Sequence, residues 1–117
     1  MTMVVVDASA VAAVIFGKPR AGETAAAIDG CNLIAPRLLR FELVSVALKK
    51  RLADPEAAAG LERCPTMATS NRDVSLQPLL DLARETGLSA YDASYLWLAR
   101  PDGLRLETFD RRLAALA

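Results

Sequence analysis

Four residues, Met3 to Val6, form an apolar run that stops at an acid, Asp7, and an alanine-rich stretch starts directly behind it. A β-branched run this short lacks the length of a helix and the alternation of a half-exposed strand, so it reads as a strand buried on both faces. The next residues, ASAVAAVIFG, have the alanine content and closing Gly17 of a helix, and Lys18-Pro19 then breaks the chain. A buried strand running straight into a helix belongs to a sheet whose strands are joined by helical crossovers, which means a parallel sheet with helices on its faces.

The rest of the chain repeats that alternation. A second helix is expected over AGETAAAIDG with Gly30 as its stop, and a second strand over CNLIA. Pro36 is placed in the first turn of a long helix, PRLLRFELVSVALKKRLADP, ending before Pro55. A short helix over PEAAAGLE is followed by the most polar stretch, CPTMATSNRDVS, expected to be a loop leading into a brief strand near Val74 to Leu76. LQPLLDLARETG and LSAYDASYLWLARPDG are helices, the second capped by Ser89 and stopped at Pro101; LRLETF is a strand and DRRLAALA a final helix. The fold class is therefore α/β, with a central parallel sheet covered on both faces in a single domain over residues 1–117. With aromatics at only 5%, the core must be built from Val, Leu, Ile and Ala.

Several chemistries are excluded at once. There is no histidine, which removes histidine general bases, Ser-His and Cys-His nucleophile systems and histidine-ligated metals. Cys31 and Cys64 stand far apart without paired spacing, so neither a disulfide framework nor a zinc site is expected. The N-terminal segment lacks a basic region and carries Asp7 within its apolar run, unlike a signal peptide, and no stretch has the length of a membrane span; a soluble cytoplasmic protein with reduced thiols is expected. Formal net charge is zero, so a polyanion would have to be held by local arginines or by bound cations.

Four acids hold the functional interest. Asp7 closes the first strand ahead of a helix, where Asp is a good N-cap. Ser89-Ala-Tyr-Asp92 follows the capping-box spacing, and Asp110 is placed to cap the last helix. Glu42 has no such explanation about two turns into the long helix, between Phe41 and Leu43. Two readings of it stay open: a place on the wet face beside Ser45 and Lys49, or a place in a site. In an open parallel sheet, ligands bind beyond the carboxyl ends of the strands. Asp7 and Asp110 occupy that edge, and Asp92 begins a helix that can start there. Carboxylates gathered at one crevice repel one another unless a cation offsets them, and oxygen ligands without histidine suit Mg²⁺ or Mn²⁺. Such an ion supports phosphoryl transfer.

VVVDASA, the helical FELVSVALKKRL, GLSAYDASYLWLA and LETFDRRLAALA together resemble the signature segments of PIN-domain ribonucleases, most closely the VapC toxins of bacterial toxin–antitoxin pairs. The likeness covers nearly the whole chain in order, and its most specific pieces are YDASYL and TFDRRL. It implies a three-layer α/β/α PIN-like fold in which Asp7, Glu42, Asp92 and Asp110 hold Mg²⁺ or Mn²⁺ and a metal-activated water cuts RNA. Asp7 and Asp92 would be the principal ligands, Glu42 and Asp110 completing the site directly or through water, with Ser9 and Thr108 as supporting polar residues. Relatives carry one more short strand after the segment matching DRRLAALA, so a sheet lacking that final edge strand is anticipated, and Glu107 fits an edge strand better than an interior one.

The same resemblance implies a homodimer and a cognate antitoxin whose C-terminal segment covers the acidic pocket, with no DNA binding by this chain alone and no membrane partner. Arg111, Arg112 and Arg40 are the leading candidates for RNA contact, with Arg37, Lys18 and Arg20 behind them. The apolar helices over Val11 to Phe16 and Leu38 to Leu48 are candidate protein contacts, while Tyr95 and Trp97 are assigned to core packing and Tyr91 is left open. Alternatives remain. A catalytically weak PIN-like binding or scaffolding module would keep the fold without turnover. A haloacid-dehalogenase-like phosphatase would want an acid at position 9 and a late lysine; the chain has Ser9 and no lysine after Lys50. A further α/β domain would use the acids only as helix caps.

Overall fold

The computed structural model describes residues 2–17, 21–63 and 69–117. The four-residue run at the start is strand β1 (Met3–Val6), and it is the interior of the molecule: Val4, Val5 and Val6 have no exposed surface. Full burial of each such side chain contributes about 1.5–3 kcal/mol. β1 pairs in parallel with β2 (Asn32–Pro36) on one side and with β4 (Arg105–Glu107) on the other, and β2 pairs in parallel with β3 (Thr69–Arg72). The sheet is four-stranded and parallel throughout, in the order β3-β2-β1-β4.

Helices connect the strands as the alternation requires: α1 (Ala8–Ile15), α2 (Ala21–Ile28), α3 (Leu39–Lys49), α4 (Asp54–Arg63), α5 (Leu76–Thr86), α6 (Ala90–Ala99) and α7 (Arg111–Leu116). α1 packs against α2, α3 and α4, while α6 packs against β1, β2 and β4 and carries α5 and α7. One close approach depends on a missing side chain, because a Cβ on Gly60 of α4 would collide with the Phe16 ring beyond α1. Gly87 ends α5 with φ at 71°, a left-handed C-cap that glycine adopts without steric cost.

Three sequence expectations need correction. Pro36 is the last residue of β2, in register with Arg72, and α3 begins only at Leu39. Proline's fixed φ and missing N–H are as acceptable at a strand end as in a first helical turn. The brief strand expected near Val74 to Leu76 is β3 instead, within the polar stretch, and Leu76 opens α5. α1 is unsuited to protein contacts because Val11, Ala12, Ala13 and Ile15 are buried. Glu107, as anticipated, lies in an edge strand, 3.7 Å from Arg105. The expected break at Lys18-Pro19, Arg20, Cys64 and the first part of the expected loop lie outside the described residues. Among the described residues no helix is long and apolar enough to cross a membrane.

Candidate active site

All strands run the same way, so β1, β2 and β4 end at one edge, and the chain leaves each of them into a segment that carries an acid. Asp7 follows β1 directly, and its backbone N–H donates to the Glu107 carbonyl of β4 at 3.3 Å. Its side chain is 5% exposed and caps α1: Oδ1 accepts from the Ala10 N–H at 3.0 Å and from the Ser9 hydroxyl at 2.7 Å. Oδ2 accepts from the Thr108 hydroxyl just past β4. Both hydroxyls are also acceptors, Ser9 from the Phe109 N–H at 2.9 Å and Thr108 from the Asp110 N–H at 3.0 Å. Each hydroxyl thus spends its single proton on Asp7 and takes a backbone proton from the segment after β4, lacing together parts of the chain about 100 residues apart. An ionised carboxylate has about four lone-pair sites. Among the described residues three donors reach the Asp7 carboxylate.

Asp110 caps α7 by accepting from the Leu113 N–H at 3.0 Å, and its side chain is otherwise exposed. Ser89 caps α6 by accepting from the Asp92 N–H at 3.1 Å. The capping roles expected of Asp7, Asp110 and Ser89 are therefore real. Because α3 starts at Leu39, Glu42 lies in its first turn rather than two turns in, where an acid also complements the helix dipole. It lines a groove together with Ser45 and Lys49, the neighbours that one of the two readings gave it. Glu42 is half-buried, and the Tyr95 hydroxyl of α6 donates to its Oε1 at 2.5 Å.

The electrostatics tie the four acids into one group. Burial pushes the Glu42 carboxyl up from its ordinary range; the Tyr95 hydrogen bond opposes this, the charges of Asp92 and Asp7 add to it, and the Lys49 ammonium pulls the other way. Asp92 is also pushed up, first by burial and then by Asp110 and Asp7, with Ser89 and Arg112 pulling the other way. The Tyr95 hydroxyl is driven well above its usual range by burial and by Glu42, so it acts as a fixed donor. Among the described residues, no three acids stand close enough to enclose an ion by themselves. Their mutual repulsion acts over a wider crevice. Mg²⁺ can be held by one or two carboxylates with several waters, so it would not need a closer cluster. Asp7 and Asp92 are the carboxylates that could hold such an ion.

Two grooves flank Asp7. One, of about 480 Å³, is lined by Glu42, Ala8, Phe41, Ser45, Lys49 and Tyr91. The other, of about 230 Å³, is lined by Glu23, Thr108, Phe109, Asp110 and Arg111. Arg111 thus lies beside the acids, and Arg112 reaches the Thr86 carbonyl at 3.2 Å while its charge acts on Asp92. Arg40 is exposed on α3, and Arg37 is paired with Asp73 at 2.6 Å on the surface. Lys18 and Arg20 lie outside the described residues. Lys49 lies beside Glu42, as one of the two readings of Glu42 had it, whereas the Tyr95 contact has no counterpart in the sequence reading. The periodicity that marks Tyr95 as a core residue is correct, since it is 1% exposed, but no one-dimensional pattern reveals the partner of its hydroxyl.

Comparison with known proteins agrees with this fold. A family model described as PIN domain matches residues 4–117. The crystal structure of PAE2754 from Pyrobaculum aerophilum superposes with a TM-score of 0.77 at 27% sequence identity, covering 99% of this chain and 80% of that one. No curated protein matches the chain.

Proposed function

The chain belongs to the PIN-domain family, whose members are generally nucleases that use divalent metals, and from that premise we propose that it is a Mg²⁺- or Mn²⁺-dependent endoribonuclease, the toxin of a toxin–antitoxin pair. One observation supports the proposal: at the carboxyl edge of a parallel sheet, Glu42 and Asp92 are raised first by burial and then by the charges of neighbouring acids, Asp92 and Asp7 acting on Glu42, and Asp110 and Asp7 on Asp92. Helix caps alone have no need of that convergence. Phosphatase chemistry of the haloacid-dehalogenase kind needs an acid where Ser9 donates to Asp7.

When bound, the metal polarises the phosphodiester and lowers the pKa of a coordinated water. The protein's own contributions are positional. Asp7 and Asp92 would hold the ion, Asp7 being fixed by Ser9 and Thr108. Glu42 and Asp110 would complete the site, directly or through water, and would help to orient the attacking water. Arg111 and Arg112, beside Asp110, supply positive charge for the RNA backbone, and Arg40 extends that surface.

The toxin role is supported by an exposed apolar stripe on α3. Phe41 is 76% and Leu48 73% exposed, with Val44 between them. An exposed apolar face of this kind marks a protein-contact surface, suited to a second copy of the chain or to an antitoxin segment reaching the acidic crevice. The direct test is incubation of the purified chain with structured RNAs in Mg²⁺ or Mn²⁺ and then in chelator, alongside Asp7→Asn and Asp92→Asn. Metal-dependent cleavage abolished by both substitutions is expected. Cleavage that persists in chelator would refute the mechanism, and metal binding without cleavage of any RNA would favour a scaffolding role.

A further inference from the structure

We infer that Tyr95 is a positioning residue for the metal site: its buried hydroxyl fixes the Glu42 carboxylate relative to Asp92, one turn earlier on the same helix. The inference rests on the metal-dependent reading above. Glu42 reaches the crevice from α3 on a side chain with several rotatable bonds, and among the described residues its carboxylate accepts from the Tyr95 hydroxyl alone. Tyr95, by contrast, cannot move independently. It is 1% exposed, its ring belongs to the hydrophobic cluster that includes Val4, Val5 and Leu43, and α6 packs on β1 and β2. A rigid donor therefore grips a flexible acceptor at 2.5 Å.

The tyrosine proton goes to Oε1, which leaves Oε2 as the Glu42 oxygen available to the ion or its water shell. α6 also carries Asp92, so a single helix places one principal ligand and clamps another acid that approaches from a different helix. The spacing between Asp92 and Glu42 is then set by α6 rather than by the rotamer Glu42 happens to adopt. Groups that orient metal-binding side chains in this way typically contribute about 10- to 100-fold to metal affinity or activity. If Tyr95 were only a core residue satisfying its own hydroxyl, deleting the oxygen would leave ion binding unchanged.

The test is Mn²⁺ binding, measured by calorimetry and by paramagnetic resonance without substrate, for the native chain, Tyr95→Phe, Glu42→Ala and the double variant. Tyr95→Phe is expected to weaken Mn²⁺ binding on the order of 10-fold. The double variant is expected to match Glu42→Ala, because the tyrosine acts only through Glu42. An affinity in Tyr95→Phe equal to that of the native chain, while Glu42→Ala binds more weakly, would overturn the inference and leave the metal reading intact. A native chain that binds no Mn²⁺ would overturn both. The chain has only two tyrosines, so ring-carbon labelling gives a second readout that needs no core substitution. The Tyr95 signal, told apart from Tyr91 by Tyr91→Phe, is expected to shift in step with Mg²⁺ binding. An unmoved signal at Mg²⁺ saturation would count against the inference.

Discussion

The two halves of the acidic crevice treat the same functional group in opposite ways. At the β1–β4 side, Asp7 is built into the backbone: two hydroxyls and a helix N–H hold it, and those hydroxyls are themselves held by N–H groups beyond β4. At the α3–α6 side, Glu42 and Asp92 are half-buried, repel each other and Asp7, and are raised above their ordinary range. One half is complete without an ion, and the other is electrostatically unfinished. A cation bound between them would rest on the rigid half and relieve the strained one.

The largest effect that can break this comparison is loss of Asp7. Asp7→Asn keeps a capping oxygen for α1 but removes the charge, so the fold should survive while RNA cleavage falls by about 10³-fold or more. Cleavage assays alongside circular dichroism would check this. Activity within a few-fold of the native chain would mean the rigid half is only structural.

The lacing residues come next. Ser9→Ala removes a donor to Asp7 and the part-buried hydrogen bond from the Phe109 N–H, a loss of about 1 kcal/mol or more. Urea denaturation should show that decrease, and activity should fall by about 10- to 100-fold as Asp7 loosens. A stability loss without any change in activity would separate the network from the chemistry.

These hydroxyls also show what was legible in the sequence. D-x-S and T-x-D sit beside strand ends that periodicity locates, and once the sheet is known to be parallel their meeting follows. Strand β3 was not legible, because Thr69-Ser-Asn-Arg72 has no apolar pattern. It pairs through backbone groups at the free edge of β2, which any sequence can do. The start of α3 was misplaced because proline serves a strand end as well as a helix start, and that error put Glu42 a turn too deep. Its burial depends on Tyr95, 53 residues away, a contact that no local pattern contains.

The unfinished half predicts a pH signature. Both Glu42 and Asp92 have raised carboxyl pKa values in the folded chain, so the unfolded chain releases these protons first. Their contribution to stability is full below the ordinary carboxylate range, around pH 4. It is lost as the pH rises through the folded values. In chelator the melting temperature should therefore fall over that window, and Asp92→Asn or Glu42→Gln should reduce the fall and raise the melting temperature at neutral pH. Mg²⁺ should restore the native chain more than either variant. Melting temperatures that drop in both variants at neutral pH would show that the two acids are stabilised without a cation.

Asp110 should give the smallest effect on stability and the finest discrimination between the two halves. It caps the six-residue helix α7 as Asp7 caps α1, yet its charge raises Asp92 as Asp7's does. Asn is as good an N-cap as Asp, so Asp110→Asn should alter stability by only about 0.5 kcal/mol, whereas Ala should cost about 1 kcal/mol. Removing the charge also relieves Asp92, which offsets part of any capping loss. In Mg²⁺ the Asn variant should cleave RNA more slowly than the native chain but faster than Asp7→Asn, because Asp110 is exposed at the rim of its groove. If Asp110→Asn is as inactive as Asp7→Asn while equally stable, Asp110 is a direct ligand and the ion sits closer to β4 than to α3.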